Sequence, residues 1–166
     1  RSQNLLIDPA RAPVTLLARA IDAANAGKTL PLAGEPYVPR SADPPPVWVS
    51  ELVADLYGLD TGDRVRWPIG EREHDFIVAG IWRDYARQNG AVVIERERYA
   101  QLTGDRLAND AALWLVPEVS PHEVQNRIRD RLGPSDRIEI SSNREVRAAS
   151  PAIFDRTFAI TLGYRF

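Results

Sequence analysis

The chain has 166 residues, 44% of them hydrophobic and 27% charged, with a formal net charge of −2. That balance suits one domain with a real core or two small lobes, and it gives no electrostatic case for nucleic acid or an anionic membrane surface. Cysteine is absent, which rules out disulfides and thiolate metal sites.

Methionine is absent too. A complete bacterial protein begins with one, so the expectation is a piece of a longer chain. No run approaches the roughly 18–20 apolar residues that cross a bilayer.

Taken in chain order, "NLLID" (4–8) and "PVTLLARAI" (13–21) read as two strands of a hairpin, and "LPLAG" (30–34) as a short third strand. The segment 35–46, "EPYVPRSADPPP", holds five prolines in twelve residues and reads as an extended surface connector. "VWVS" (47–50) is a short strand running into a helix. Ser50 is its N-cap, Leu52, Val53, Leu56 and Tyr57 form its apolar face, and Gly58 stops it.

Strands follow at 64–69, 74–82 and 91–95. In the second, Phe76, Val78 and Gly80 fall on one face and Ile77, Ala79 and Ile81 on the other. Both faces are apolar, as in a buried strand, and Gly80 marks a bulge or close approach. The three strands read as a meander or partly closed barrel.

A short helix near 97–103 ends at Gly104. "AALWLV" (111–116) reads as a strand. Ser120-Pro121-His122-Glu123 is a capping box with proline at the first helical position, followed by Val124, Ile128 and Leu132 on one stripe. With "RIEIS" (137–141) this makes a β–α–β unit. Ser142-Asn143-Arg144-Glu145 starts a last amphipathic helix, with Pro151 as its kink and an increasingly apolar end.

The fold class is therefore α+β: a small β-rich lobe plus a β–α–β lobe with a C-terminal amphipathic helix. Residues 1–46 carry strands and the connector, 47–106 the β-rich lobe with one short helix, and 107–166 the second lobe.

Candidate chemistry is sparse. "GKT" (27–29) ends like a phosphate-binding loop, but Asp22 stands where that loop needs its first glycine. His74 lies among Glu71, Glu73 and Asp75. Neighbours on a strand alternate faces, so His74 and Asp75 cannot both face one ion. His122 sits in a first helical turn and reads as solvated. Ser50 and Ser120 have capping roles, and no G-x-S-x-G elbow exists. The four tryptophans, Trp48, Trp67, Trp82 and Trp114, read as strand residues anchoring cores, with one or two of them able to lie at a partner surface instead.

The richest cluster is Trp82, Arg83, Asp84, Tyr85, Arg87 and Gln88, between two buried strands. The two arginines could hold a carboxylate or phosphate. The favoured reading is a polar corner that satisfies loose backbone groups, with Trp82 and Tyr85 packing into the lobes. Neither an enzyme's catalytic set nor a cofactor site is legible.

The run "VWVSELVADLYGLDTGDRVRWPI", followed by "HDFIVAGIWRDYARQNGAVVI", resembles the extracytoplasmic region of FtsX-like, MacB-type permeases of ABC transporters. Ser50, Glu51, Leu59, Gly62, Asp63, Val65, Phe76, Val78, Gly80, Ile81 and Asp84 fill that family's motif positions. "REVRAASPAIFDRTFAIT" is similar to the segment that leads into the second transmembrane helix, with matches at Glu145, Arg147, Phe154, Asp155 and Phe158. The resemblance covers residues 47–162.

It implies a bacterial inner-membrane protein with this part on the periplasmic side. Its partners would be a cytoplasmic ATPase subunit, a second permease subunit, and a lipoprotein, peptide or envelope protein as cargo. The chain itself would be non-catalytic and free of cofactor, relaying ATP-driven motion. The last helix, with Arg147, Phe154, Asp155 and Phe158, would be the lever. The family's first β–α–β unit has no counterpart before Arg1, so half of the membrane-proximal lobe is expected to be missing. The alternative is a stand-alone ligand- or partner-binding module that uses the 35–46 connector and the 83–88 cluster as its surface.

Overall fold

The structure is a computed structural model that describes residues 1–133 and 139–141. The chain divides into two compact units, Arg1–Ala111 and Ala112–Phe166.

The first unit is built on six strands: β1 (Ser2–Leu5), β2 (Val14–Arg19), β3 (Pro46–Ser50), β4 (Arg64–Ile69), β5 (Arg72–Trp82) and β6 (Ala91–Glu95). They form one curled, mixed sheet, a half-barrel, in the order β1-β2-β6-β3-β5-β4. Two helices belong to it, α1 (Glu51–Tyr57) and α2 (Arg96–Thr103). The fold is α+β with a β-rich lobe.

Strand alternation divides the core into two faces. Val14, Leu16 and Ala18 of β2, Val47 and Val49 of β3, and Val92 and Ile94 of β6 pack with Val53 of α1 and Tyr99 of α2. Leu17, Trp48, Ala91 and Val93 point the other way, onto Ile21, Ala26 and Leu30. The β6 residues Ala91–Ile94 are all buried, as befits a central strand covered on both sides.

β5 carries a bulge. Val47 pairs with Val78, but Trp48 pairs with Gly80, so one residue of β5 is skipped. The skip reverses the alternation. Phe76, Val78 and then Ile81 lie on the first face, while Ala79 and Trp82 lie on the second. Gly80 also faces the second side, where a Cβ would come 3.2 Å from Trp48 Cδ1. The bulge at Gly80 was legible, but the strict face assignment beyond it fails for that reason.

Both sheet edges are blunted. β4 exposes Arg64, Arg66 and Pro68, which discourage a further strand. At β1, the Ser2 amide donates to Asn109 Oδ1 at 2.8 Å, and Tyr99 Oη donates to Gln3 Oε1 at 2.9 Å.

The expected β1–β2 hairpin is present and antiparallel. Three expectations need correction. Strands β4, β5 and β6 are not a meander, because β3 lies between β5 and β6. Residues 30–34 form no strand, only an isolated bridge between Leu32 and Trp82. Residues 111–116 are irregular rather than a strand. Apolar character alone does not make a strand; its backbone groups need a neighbour. Among the described residues none pairs with this run, and Leu113, Trp114 and Val116 are exposed.

In the second unit, α3 (Pro121–Leu132) forms as expected and closes at Gly133. Ser120 is its N-cap residue but makes no side-chain capping bond. Proline at the first helical position presets the turn without it. The lever residues Arg147, Phe154, Asp155 and Phe158 lie outside the described residues, as do 142–166 as a whole and 137–138 of the expected last strand. No helix among the described residues is long and apolar enough to cross a membrane.

Candidate functional site

The strand order explains the 82–88 cluster. β5 runs parallel to β3 and β6 antiparallel to it, so the chain must pass across the C-terminal end of β3 to get from one to the other. Residues 83–90 make that crossing, directly over the start of α1.

Asp84 organises the crossing. Its side chain is only 2% exposed. Oδ1 accepts the Ala86 amide at 3.0 Å, and the Arg87 guanidinium donates to both carboxylate oxygens at 3.0 and 2.9 Å. A charge-assisted fork of this kind fixes a turn more firmly than neutral bonds do. Arg83 lies 3.6 Å from Glu51 in the first turn of α1, and its amide donates to the Pro31 carbonyl at 3.0 Å. Trp82 is buried in the second face of the core, and Gln88 is exposed.

Tyr85 departs from expectation. It packs into no core; at 89% exposed it stands out from the tip of the turn. Asp84 has turned inward to satisfy the backbone, which leaves the next side chain facing water.

The crossing ends on a close contact between Gly90 and the start of α1. Ser50 Oγ accepts from Val53 N at 3.4 Å, capping α1, and from Ala91 N at 3.0 Å. Gly90, at φ +75°, sits against both partners. A Cβ there would lie 2.7 Å from Val53 Cγ2 and 2.8 Å from Ser50 Oγ. Only glycine combines that backbone angle with that approach.

Two carboxylate hubs were not legible in the sequence. Asp43, in the proline connector, accepts from the Arg40 amide at 2.8 Å, Tyr37 Oη at 2.8 Å and Arg64 at 3.1 Å. These bonds, that from the Arg40 amide foremost, hold its carboxyl below the usual range. The bond to Asp43 in turn raises the Tyr37 phenol. Asp105 accepts from Leu107 N, Arg1 Nε and Tyr99 Oη, and the Leu107 amide leads in lowering it. The available signal for Asp43 was an aspartate inside a proline-rich run, where regular structure cannot satisfy the backbone; Asp105 has no such local mark.

The other candidates resolve into local structure. Asp75 pairs with Arg66 through two bonds, at 2.7 and 3.0 Å, across the β4–β5 hairpin. His74 meets the Phe76 ring edge-on, and His122 lies 3.3 Å from Asn126 Nδ2. Among the described residues, no group of three His, Asp or Glu could hold a metal ion. Asp22 caps the short 3-10 segment Ala23–Lys28 that contains "GKT" residues. Trp114 is no core anchor, being 89% exposed.

No family model matches the chain, and no curated protein matches it.

Proposed function

We propose that this chain is an extracytoplasmic part of an ABC transporter permease and acts as a non-catalytic relay of ATP-driven motion. The observation that carries the reading concerns the matched residues of the first unit: among the described residues they are tied into one closely packed block. Ser50 ties α1 to β6. Gly62 N donates to the Val78 carbonyl, and Val78 N to the Asp63 carbonyl. Asp63 Oδ2 accepts from Asp60 N at 2.8 Å. Phe76 and Val78 are fully buried, Gly80 receives Trp48, and Asp84 fixes the crossing.

A close-packed block transmits displacement because its side chains have nowhere to yield. The partners under this reading are a cytoplasmic ATPase subunit, a second permease subunit, and a peptide, lipoprotein or envelope protein.

The test uses the full-length membrane protein. The chain has no cysteine, so Tyr85→Cys places one exposed thiol in this region. A membrane-impermeant maleimide should label it in intact spheroplasts, and an ATPase subunit should co-purify with the labelled protein. Labelling only after lysis contradicts the placement.

One observation favours the alternative of a partner-binding module: Tyr85 projects from a rigid turn, and tyrosine on a preorganised support is a common binding anchor. Tyr85→Ala then abolishes partner capture; the relay reading predicts no loss of capture.

A further inference from the structure

The second face of the first unit holds an unexplained pair of groups. The indole N–H groups of Trp48 and Trp82 are both buried and have no hydrogen-bond partner among the described residues. Buried N–H groups nearly always have an acceptor, and leaving one unmade is costly. Both indoles lie in one apolar cluster whose walls are Leu17, Ala79, Ala91 and Val93 of the sheet. Nothing in that cluster can accept a hydrogen bond from a side chain.

Leu32 packs over part of the pair, and the rest of the cover is lightly attached. Residues 22–30 contribute Ala26 and Leu30 to the cluster. Apart from the junction, where the Leu30 carbonyl takes Leu32 N at 2.9 Å, their hydrogen bonds close within the segment: Asp22 takes Ala24 N and Asn25 Nδ2, and the Ala26 carbonyl takes Thr29 N and Leu30 N. The 3-10 segment is itself broken at Asn25, which has non-helical φ and ψ. The next stretch is held quite differently. Ala33 N donates to Ile81 O at 2.7 Å, Tyr37 N donates to Ala79 O at 2.9 Å, and Pro31 O accepts from Arg83 N at 3.0 Å. Local opening follows the weakest attachment, which makes 22–30 the segment able to lift while 31–37 stays bonded to β5 and Arg83.

We propose that residues 22–30 form a cover over a binding site for an acyl carbonyl. The lifted cover exposes apolar walls with two unpartnered N–H donors. That chemistry fits an aliphatic chain ending in a carboxylate or ester, whose oxygens would take the two indole protons. The inference is independent of the relay reading.

The test uses the 166-residue protein carrying Trp67→Phe and Trp114→Phe, so that emission reports Trp48 and Trp82 alone. Three probes are titrated below micelle formation: decanoate, methyl decanoate and decyltrimethylammonium. The first two represent free and esterified acyl groups; the third has the same chain and no acceptor. Saturable spectral shifts with decanoate, the ester or both, at least about threefold tighter than with the ammonium probe, are expected for one hydrogen bond. Decanoate alone points to free acids and the ester alone to esterified chains. In hydrogen exchange, the Asn25, Thr29 and Leu30 amides should exchange before those of β3 and β6, and the bound probe should slow them. Trp82→Phe should weaken binding about three- to tenfold without loss of fold, since it removes an unpaired donor. Equal response to all three probes, no response to any, or exchange of 22–30 only together with the sheet overturns the proposal.

Discussion

Replacing Gly90 by alanine tests the account of the crossing at its tightest point. Two costs add. A non-glycine residue in the left-handed region, where Gly90 sits at φ +75°, costs roughly 1–2 kcal/mol. The new methyl arrives 2.7 Å from Val53 Cγ2 and 2.8 Å from Ser50 Oγ, and such overpacking costs about 1–3 kcal/mol. The expected destabilisation is therefore about 2–5 kcal/mol, read from urea unfolding at 25 °C with an unchanged slope. Ser50→Ala removes the α1 cap, about 1 kcal/mol, and strands the buried Ala91 amide, about 1–3 kcal/mol more. The two changes should not add. Alanine at 50 lacks the oxygen that the Gly90→Ala methyl collides with, so the double variant should be milder than the sum by at least about 0.5 kcal/mol. A Gly90→Ala protein within about 0.5 kcal/mol of wild type would refute the reasoning, because that is the range of ordinary surface changes. So would strict additivity.

Other outcomes follow from the same geometry. Phe76→Ala should cost about 3–5 kcal/mol in the same assay, since Phe76 is fully buried in the first face. Asp43 has a depressed pKa, so its stabilising contribution is complete above the usual carboxylate pKa of about 3.9 and is lost as pH falls through its lower folded value. Limited proteolysis should therefore spare the 35–46 connector at neutral pH and cut it increasingly in strong acid. Asp43→Asn should be cut at neutral pH. Tyr85→Ala should leave the unfolding midpoint unchanged, because the side chain is 89% exposed.

The parts of the fold that depend on local chemistry were legible. Ser50 and Gly58 bracket α1, and in the structure the serine caps its start while Gly58, at φ +62°, closes its end. Pro121 and Gly133 bound α3, though without a side-chain cap at its start. The β4–β5 hairpin showed in the strands expected at 64–69 and 74–82, although the second begins at Arg72. Long-range pairing was not legible. Nothing near residues 47–50 says that β3 will enter between β5 and β6, because that choice is made by three strands at once. The bulge was visible as a glycine, but its effect on facing depends on which residue of β5 is skipped. "AALWLV" shows the limit from the other side: its composition is that of a strand, and its neighbour decides otherwise.

The site was half legible. Arg83, Asp84 and Arg87 stood out as a polar group where two apolar strands meet, and a structural corner was the favoured reading. That Asp84 turns inward and Tyr85 outward is a matter of backbone geometry, which residue types alone do not carry. Asp43 and Asp105 escaped notice because each gathers partners from separate parts of the chain, such as Arg64 for the first and Arg1 for the second.

The relay claim is tested most directly by the ratio of cargo moved to ATP hydrolysed. The full-length protein and its ATPase subunit would be assayed in proteoliposomes, as wild type and as Asp84→Ala, which removes the fork to Arg87 and the Ala86 turn bond. The account predicts that hydrolysis persists while transport per ATP falls. An unchanged ratio in a variant shown to have lost the rigidity of the 83–90 crossing by hydrogen exchange would contradict it.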